Sequence, residues 1–134
     1  MKNIYLYLLS IVVFFVIDMV WIGWIARNFY REKIGFLMAD QVNWTAALIF
    51  YFLYIGGILY FAILPGLKAD QWQLAWFNGA LLGLLCYATY DLTNLATLKN
   101  WPVVVTVADI IWGVVLTSST ALVVYLIGKR FILG

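Results

Sequence analysis

VVVTVADIIWGVVLTSSTALVVYLIG, residues 103–128, reads as a helix that crosses a bilayer. A hydrocarbon core about 30 Å thick takes roughly twenty predominantly apolar residues, and this run exceeds that need. Trp101-Pro102 stands before it, where a proline costs little because the first helical turn has no use for the missing N–H. Lys129-Arg130 ends it at the interface. Only Asp109 is out of place, since a carboxylate in hydrocarbon costs at least about 2.5 kcal/mol on the mildest insertion scale.

Working outward, the same reading applies to residues 4–26, which contain Asp18, and to residues 74–98, which contain Asp91. Residues 44–64 carry no charge, and Pro65-Gly66 is expected to close that span. Three of the six acidic residues thus fall inside apolar stretches that hold no Lys, Arg or His. With 66% hydrophobic and 10% charged residues and a mean hydropathy of +1.00, the chain belongs in a membrane. Its 134 residues suit one transmembrane domain, 1–134, and the initial Met1-Lys2-Asn3 plus apolar run is expected to stay as the first helix. The net charge of +2 is too small and dispersed for a nucleic-acid partner. Cys86 falls mid-span without a disulfide partner, and with no His there is no recognisable zinc, haem or iron–sulfur motif, so no cofactor is expected.

The expected architecture is all-α, a four-transmembrane-helix up-down bundle, because residues 65–73 and 99–102 are short turns that force antiparallel neighbours. The longer stretch 27–43 mixes Arg27, Arg31, Glu32 and Lys33 with Phe29, Tyr30, Phe36 and Leu37. It is either a short interfacial helix or a loop with aromatic-belt residues. Orientation is balanced: Lys2, Lys68, Lys129 and Arg130 face Arg27, Arg31, Lys33 and Lys99, with only the charged free ends favouring cytoplasmic termini.

In that arrangement Asp18, Asp91 and Asp109 all lie about 9 to 12 Å below one membrane surface, at 1.5 Å of rise per residue. Steps of three and four put Thr106, Asp109, Gly113, Thr117 and Thr120 on one stripe. They also align Gly79, Gly83, Tyr87, Asp91 and Asn94 on a second stripe, and Ser10, Phe14, Asp18 and Trp21 on a third. Tyr51 and Tyr54 are deep enough to donate to a carboxylate, and Trp21 and Trp112 to wall a cavity. The candidate pocket therefore comprises Asp18, Asp91, Asp109, Asn94, Tyr87, Tyr51, Tyr54, Thr106, Trp21 and Trp112. Packing alone also accounts for much of this: small residues belong at membrane helix contacts, and a protonated Asp can be interhelical glue. Asp18-x-x-Trp21 and Asp109-x-x-Trp112 match each other, but their helices run in opposite directions, and the match is set aside as a repeat.

The run Tyr90-Asp91-Leu92-Thr93-Asn94-Leu95-Ala96-Thr97-Leu98, followed by Trp101-Pro102, resembles the signature of a family of small four-helix bacterial inner-membrane proteins described as a domain of unknown function. Asp18-x-x-Trp21-x-Gly23, Phe29-Tyr30, Asn78-Gly79-Ala80 and Asp109-x-x-Trp112-Gly113 extend the resemblance over nearly the whole chain. The resemblance implies a bacterial inner-membrane location and four spans. Since such proteins can be encoded near enzymes of fatty-acid modification, it also implies a lipid-linked role. It supplies no activity.

Three function classes remain. Unpaired intramembrane acids mark proton and ion pathways, which suggests a proton- or cation-coupled small transporter, with four helices few enough to call for a homodimer. Carboxylates with separated proton affinities suit acid–base chemistry on a lipid. Tyr90-Asp91 with Asp109 resembles the two-aspartate arrangement of intramembrane proteases, but Val107-Ala108 replaces the Gly-x-Gly that precedes the second acid there. The third class is a structural or regulatory partner of a membrane complex. The bilayer is the one partner common to all, and the ligand candidates are a proton, a cation or a lipid.

Overall fold

Backbone polar groups have no water to bind in hydrocarbon, so an apolar chain must satisfy them within its own helices. The structure, a computed structural model describing residues 1–133, is all-α. Helix α1 (Lys2–Val20) widens into a π turn at Trp21–Ile25. Helix α2 (Arg27–Ile34) and a 3₁₀ turn at Gly35–Leu37 follow. Helix α3 (Trp44–Ile58) starts from Asn43, whose side chain accepts the Ala46 N–H at 3.2 Å. A π turn at Leu59–Ile63 joins α3 to α4 (Leu64–Ala69). Helices α5 (Trp72–Thr97) and α6 (Val103–Ile127) complete the fold, with a last π turn at Gly128–Leu133.

Among the described residues, Lys2–Ile25, Trp44–Ala69 and Val103–Leu133 are long and apolar enough to cross a membrane. Helix α5 is 26 residues long, as long as Trp44–Ala69, yet it does not join them. Gln73, Asn78, Tyr87, Tyr90, Asp91 and Asn94 lower its hydropathy. Composition therefore marks three spans where the sequence pattern suggests four. The stretch after the first span does contain a short helix, α2.

Pro65 and Gly66 lie inside the second helical rod and do not end it. Proline brings no N–H to the carbonyl four residues back, here Phe61, and its ring crowds that carbonyl. The π turn at Leu59–Ile63 absorbs the crowding, and the Asn78 side-chain amide donates to the Phe61 carbonyl oxygen at 3.0 Å. The rod ends at Asp70, which takes the left-handed conformation (φ 55°). There the Asp70 N–H bonds the Leu67 carbonyl and the Gln71 N–H bonds the Gly66 carbonyl. Asp tolerates that conformation better than most residues other than glycine, and the paired bonds satisfy the helix's last carbonyls.

Helix α6 is the hub, packed against α5 along its length and against α1 on another side. Between helices in lipid, close packing replaces the hydrophobic drive. Gly79 and Gly83 of α5 face Ala121, Ser118, Thr117 and the Gly113 backbone of α6 so closely that a Cβ at Gly83 would collide and one at Gly79 would be tight. Gly113 in turn leaves room for the ring of Tyr87. Large side chains such as Val16, Leu53, Leu85 and Ile111 point outward, as expected where the surrounding solvent is hydrocarbon.

Candidate functional site

Helix α1 buries one stripe, Leu6, Ser10, Phe14 and Asp18, whose members are each four residues apart. This stripe carries Asp18 inward against α6. There the indole N–H of Trp112 donates to Asp18 Oδ1 at 3.2 Å. Trp112 also stacks on Trp21, with ring centroids 4.7 Å apart and planes inclined by 13°. Trp21 donates its indole N–H to the Tyr30 hydroxyl at 3.2 Å, and that hydroxyl donates to Asp109 Oδ1 at 2.9 Å. The two Asp-x-x-Trp motifs are therefore crossed: the Trp of each serves the Asp of the other, once directly and once through Tyr30. The motif match that antiparallel direction argues against as a repeat has a physical basis in this exchange.

Tyr30 is supplied by α2, where Tyr30 and Ile34, in step with Ala26 just before the helix, turn inward while the charged residues face out. Burial, and then the neighbouring Asp109 carboxylate, push the Tyr30 phenol above its usual range, so it remains a hydrogen-bond donor.

Asp91 differs from both other acids. It is fully buried, and among the described residues neither of its carboxyl oxygens has a hydrogen-bond partner. Asp109 is the acid beside it. Asp18, Asp91 and Asp109 all line one cavity of about 350 Å³, walled by Tyr30, Tyr51, Tyr87, Tyr90, Trp101 and Trp112 among others. Ile34 and Met38 close it on the side of the stretch after α1. A second cavity of about 400 Å³ shares Phe50, Tyr87, Tyr90 and Asp109 with the first and adds Cys86. Among the described residues no Lys or Arg lines either; Arg27 and Arg31 line a third space that adjoins at Ile22, Tyr30 and Met38.

The remaining candidates lie outside the acid cavity's lining. Tyr54 shares a hydrogen bond of 2.7 Å with Thr117, and Thr106 accepts the Trp101 indole N–H at 3.0 Å. Asn94 is half-buried on α5, and Trp21 acts from behind Trp112 and Tyr30. The hydroxyl stripe on α6 is packed and not open, since Thr117 is tied to Tyr54 and Thr120 donates to the Leu116 carbonyl at 2.8 Å. Among the described residues no group of three or more His, Cys, Asp or Glu side chains converges as metal ligands would. Asp91 and Asp109 are neighbours, and among the described residues no third acid joins them at a point.

Tyr30, Tyr90, Trp101 and Phe50 are site residues that depth and helical face alone do not single out. For Tyr30 the signal was present: a buried acid needs a donor, and Ala26, Tyr30 and Ile34 form an inward stripe at helical spacing.

No curated protein and no solved structure matches the chain. Residues 3–126 match the model of a family described as a predicted membrane protein (DUF2177).

Proposed function

The chain belongs to that family of predicted membrane proteins, and from this premise we propose that it is a proton- or cation-coupled carrier of the bacterial inner membrane, with Asp91 as its proton-exchanging group. In this reading α1, the α3–α4 rod, α5 and α6 cross the bilayer up and down, and α2 lies at the interface. The polarity of α5 belongs to the site it serves, since polar residues inside a membrane face a bundle interior or a water-filled cavity. The observation that carries the reading is Asp91: full burial with both oxygens unpartnered. An ionised carboxylate would be expensive there, so the site holds a proton or exchanges it for a cation. The Tyr54–Thr117 bond and the Tyr87 ring on Gly113 form a closed floor. A carrier would have to open these contacts to pass its ion beyond the acids. A homodimer would supply the helices that four alone lack.

A second reading has its own support. Trp112 to Asp18 and Tyr30 to Asp109 tie α1 and α2 to α6, which is what aspartates would do in a structural partner of a membrane complex. Thermal unfolding of Asp91→Leu and Asp91→Asn separates the two. A carrier acid with no partner to lose leaves stability unchanged or higher in both variants, while the cellular phenotype, assayed first as membrane lipid composition, is lost. If Asp91→Leu instead costs about 0.5 to 2 kcal/mol, the scale of one membrane hydrogen bond, and Asp91→Asn is normal in stability and phenotype, the structural reading replaces the carrier.

A further inference from the structure

Helix α5 meets the second rod through Leu59–Ile63 and α4, whereas α3 rests on α1. The two helices therefore diverge in the half of the molecule that holds the acids. The space between them is the cavity of about 400 Å³ lined by Phe50 of α3, Cys86, Tyr87 and Tyr90 of α5, and Asp109 of α6. Phe50 and Tyr90 are both about half exposed at its mouth, at 49% and 56%. An opening between two apolar helix faces leads sideways, to lipid, and Asp109 stands where this groove joins the acid cavity.

We infer that the groove between α3 and α5 admits a hydrophobic ammonium cation from the bilayer, which seats its charged nitrogen beside Asp91 and Asp109 and its apolar part against Phe50, Cys86 and Tyr90. This rests on the carrier reading above and names its substrate class. Four observations select that class. Asp91 is buried, lines the cavity and has no partner, so it has an acceptor to offer a cation. Among the described residues no basic side chain lines either cavity, which disfavours an anion or the phosphate of a zwitterionic lipid. Among the described residues no three acids converge as ligands of a small, strongly hydrated metal ion would. Much of the remaining wall is aromatic, Tyr87, Tyr90, Trp101 and Trp112 beside the aliphatic Ile22, Ile34, Met38 and Val105, and aromatic rings attract a weakly hydrated ammonium through their quadrupoles. Volumes of about 350 and 400 Å³ suit a small organic ligand.

Charge balance fixes the coupling. The groups facing Asp91 across the cavity are Asp18 of α1, Tyr30 of α2, Tyr51 of α3, Tyr87 and Tyr90 of α5, and Asp109 of α6. None of them is cationic. A monocation that enters therefore replaces one proton, which leaves from a carboxyl O–H to water, and the site's net charge is unchanged.

The test uses the full-length protein in lipid nanodiscs and tryptophan fluorescence, which Trp21 and Trp112 report from the site. Benzyltrimethylammonium should bind and weaken up to about tenfold for each unit that pH falls, with one proton released per cation bound. Its neutral isostere neopentylbenzene and a phosphocholine carrying the same benzyl group should bind far more weakly. Asp91→Asn should abolish proton release, and Phe50→Ala should weaken binding while leaving one proton per cation bound. Equal binding of the neutral or phosphocholine compound overturns the ammonium assignment. No binding of benzyltrimethylammonium, in protein whose Asp91 carboxyl is shown by infrared spectroscopy to hold a proton, overturns the ligand and leaves the carrier reading standing. If that carboxyl holds no proton, the carrier reading falls with it.

Discussion

Asp70 and Asp91 sit on the turn before α5 and near its far end, and they do opposite things. Asp70 is exposed and takes up a left-handed turn, and its carboxylate accepts from the Lys129 ammonium and from the Tyr125 hydroxyl at 3.4 Å. It has water, a cation and a phenol. Asp91 is buried and has neither a cation nor a phenol as a hydrogen-bond partner among the described residues. At one end a carboxylate is a strap that holds the turn before α5 to the end of α6. At the other, the fold provides aromatic and apolar walls and withholds the hydrogen bonds that a purely structural acid would need. Asp18 and Asp109 lie between these extremes, each buried to some degree and each with one donor. In the proposed reading, an acid's partners, more than its depth, separate a structural from a functional role.

The largest effect should come from disturbing the seam that holds Asp91 in place. A Cβ at Gly113 would enter the Tyr87 ring, so Gly113→Ala should lower stability by about 1–3 kcal/mol and disturb the cavity wall. Thermal unfolding in detergent or nanodiscs measures it, and a neutral result would mean that the seam does not set the site.

Trp112→Phe keeps the stack on Trp21 but removes the donor to Asp18, leaving a buried acceptor unsatisfied at a cost of about 1–2 kcal/mol. Combined with Asp18→Leu, which removes the acceptor, the loss should largely disappear. Strict additivity of the two changes would show that Asp18, like Asp91, has no partner that matters.

The smallest effect belongs to Asp70. The Lys129 beside it holds its carboxyl below the usual carboxylate range. A depressed folded-state value stabilises the fold above the unfolded value, about 3.9, and the contribution is lost as pH falls through the folded one. The pair is exposed, so salt should erase much of the gain. The melting temperature of Asp70→Asn should be less dependent on acid pH and on salt than that of the wild type. Equal dependence would place the charge effect elsewhere.

Much of this was legible in the residues. Apolar runs marked the three helices long and apolar enough to cross a membrane, the run at 74–98 formed a helix that does not join them, and counting by threes and fours put Asp18, Asp91 and Asp109 on inward stripes of their helices. What periodicity could not reach was anything set by a partner from another element. Pro65 reads as a stop because the sequence does not announce that Asn78, in a different helix, will take over the Phe61 carbonyl. Tyr30 lies in a stretch rich in charge, and only its register with Ala26 and Ile34 hints that it turns inward. The α6 hydroxyls look like a polar path until Tyr54 and Tyr87 are seen filling it. The π turn at Leu59–Ile63, between α3 and α4, is a backbone feature with no clear residue signature beyond the nearby proline.

The most direct measurement is an infrared pH titration of the purified protein, free of organic cations, alongside Asp91→Asn and Asp70→Asn. The account predicts a protonated carboxyl band at pH 7 that is absent in Asp91→Asn and unchanged in Asp70→Asn. A wild-type spectrum without that band, or one that Asp91→Asn leaves intact, would contradict it.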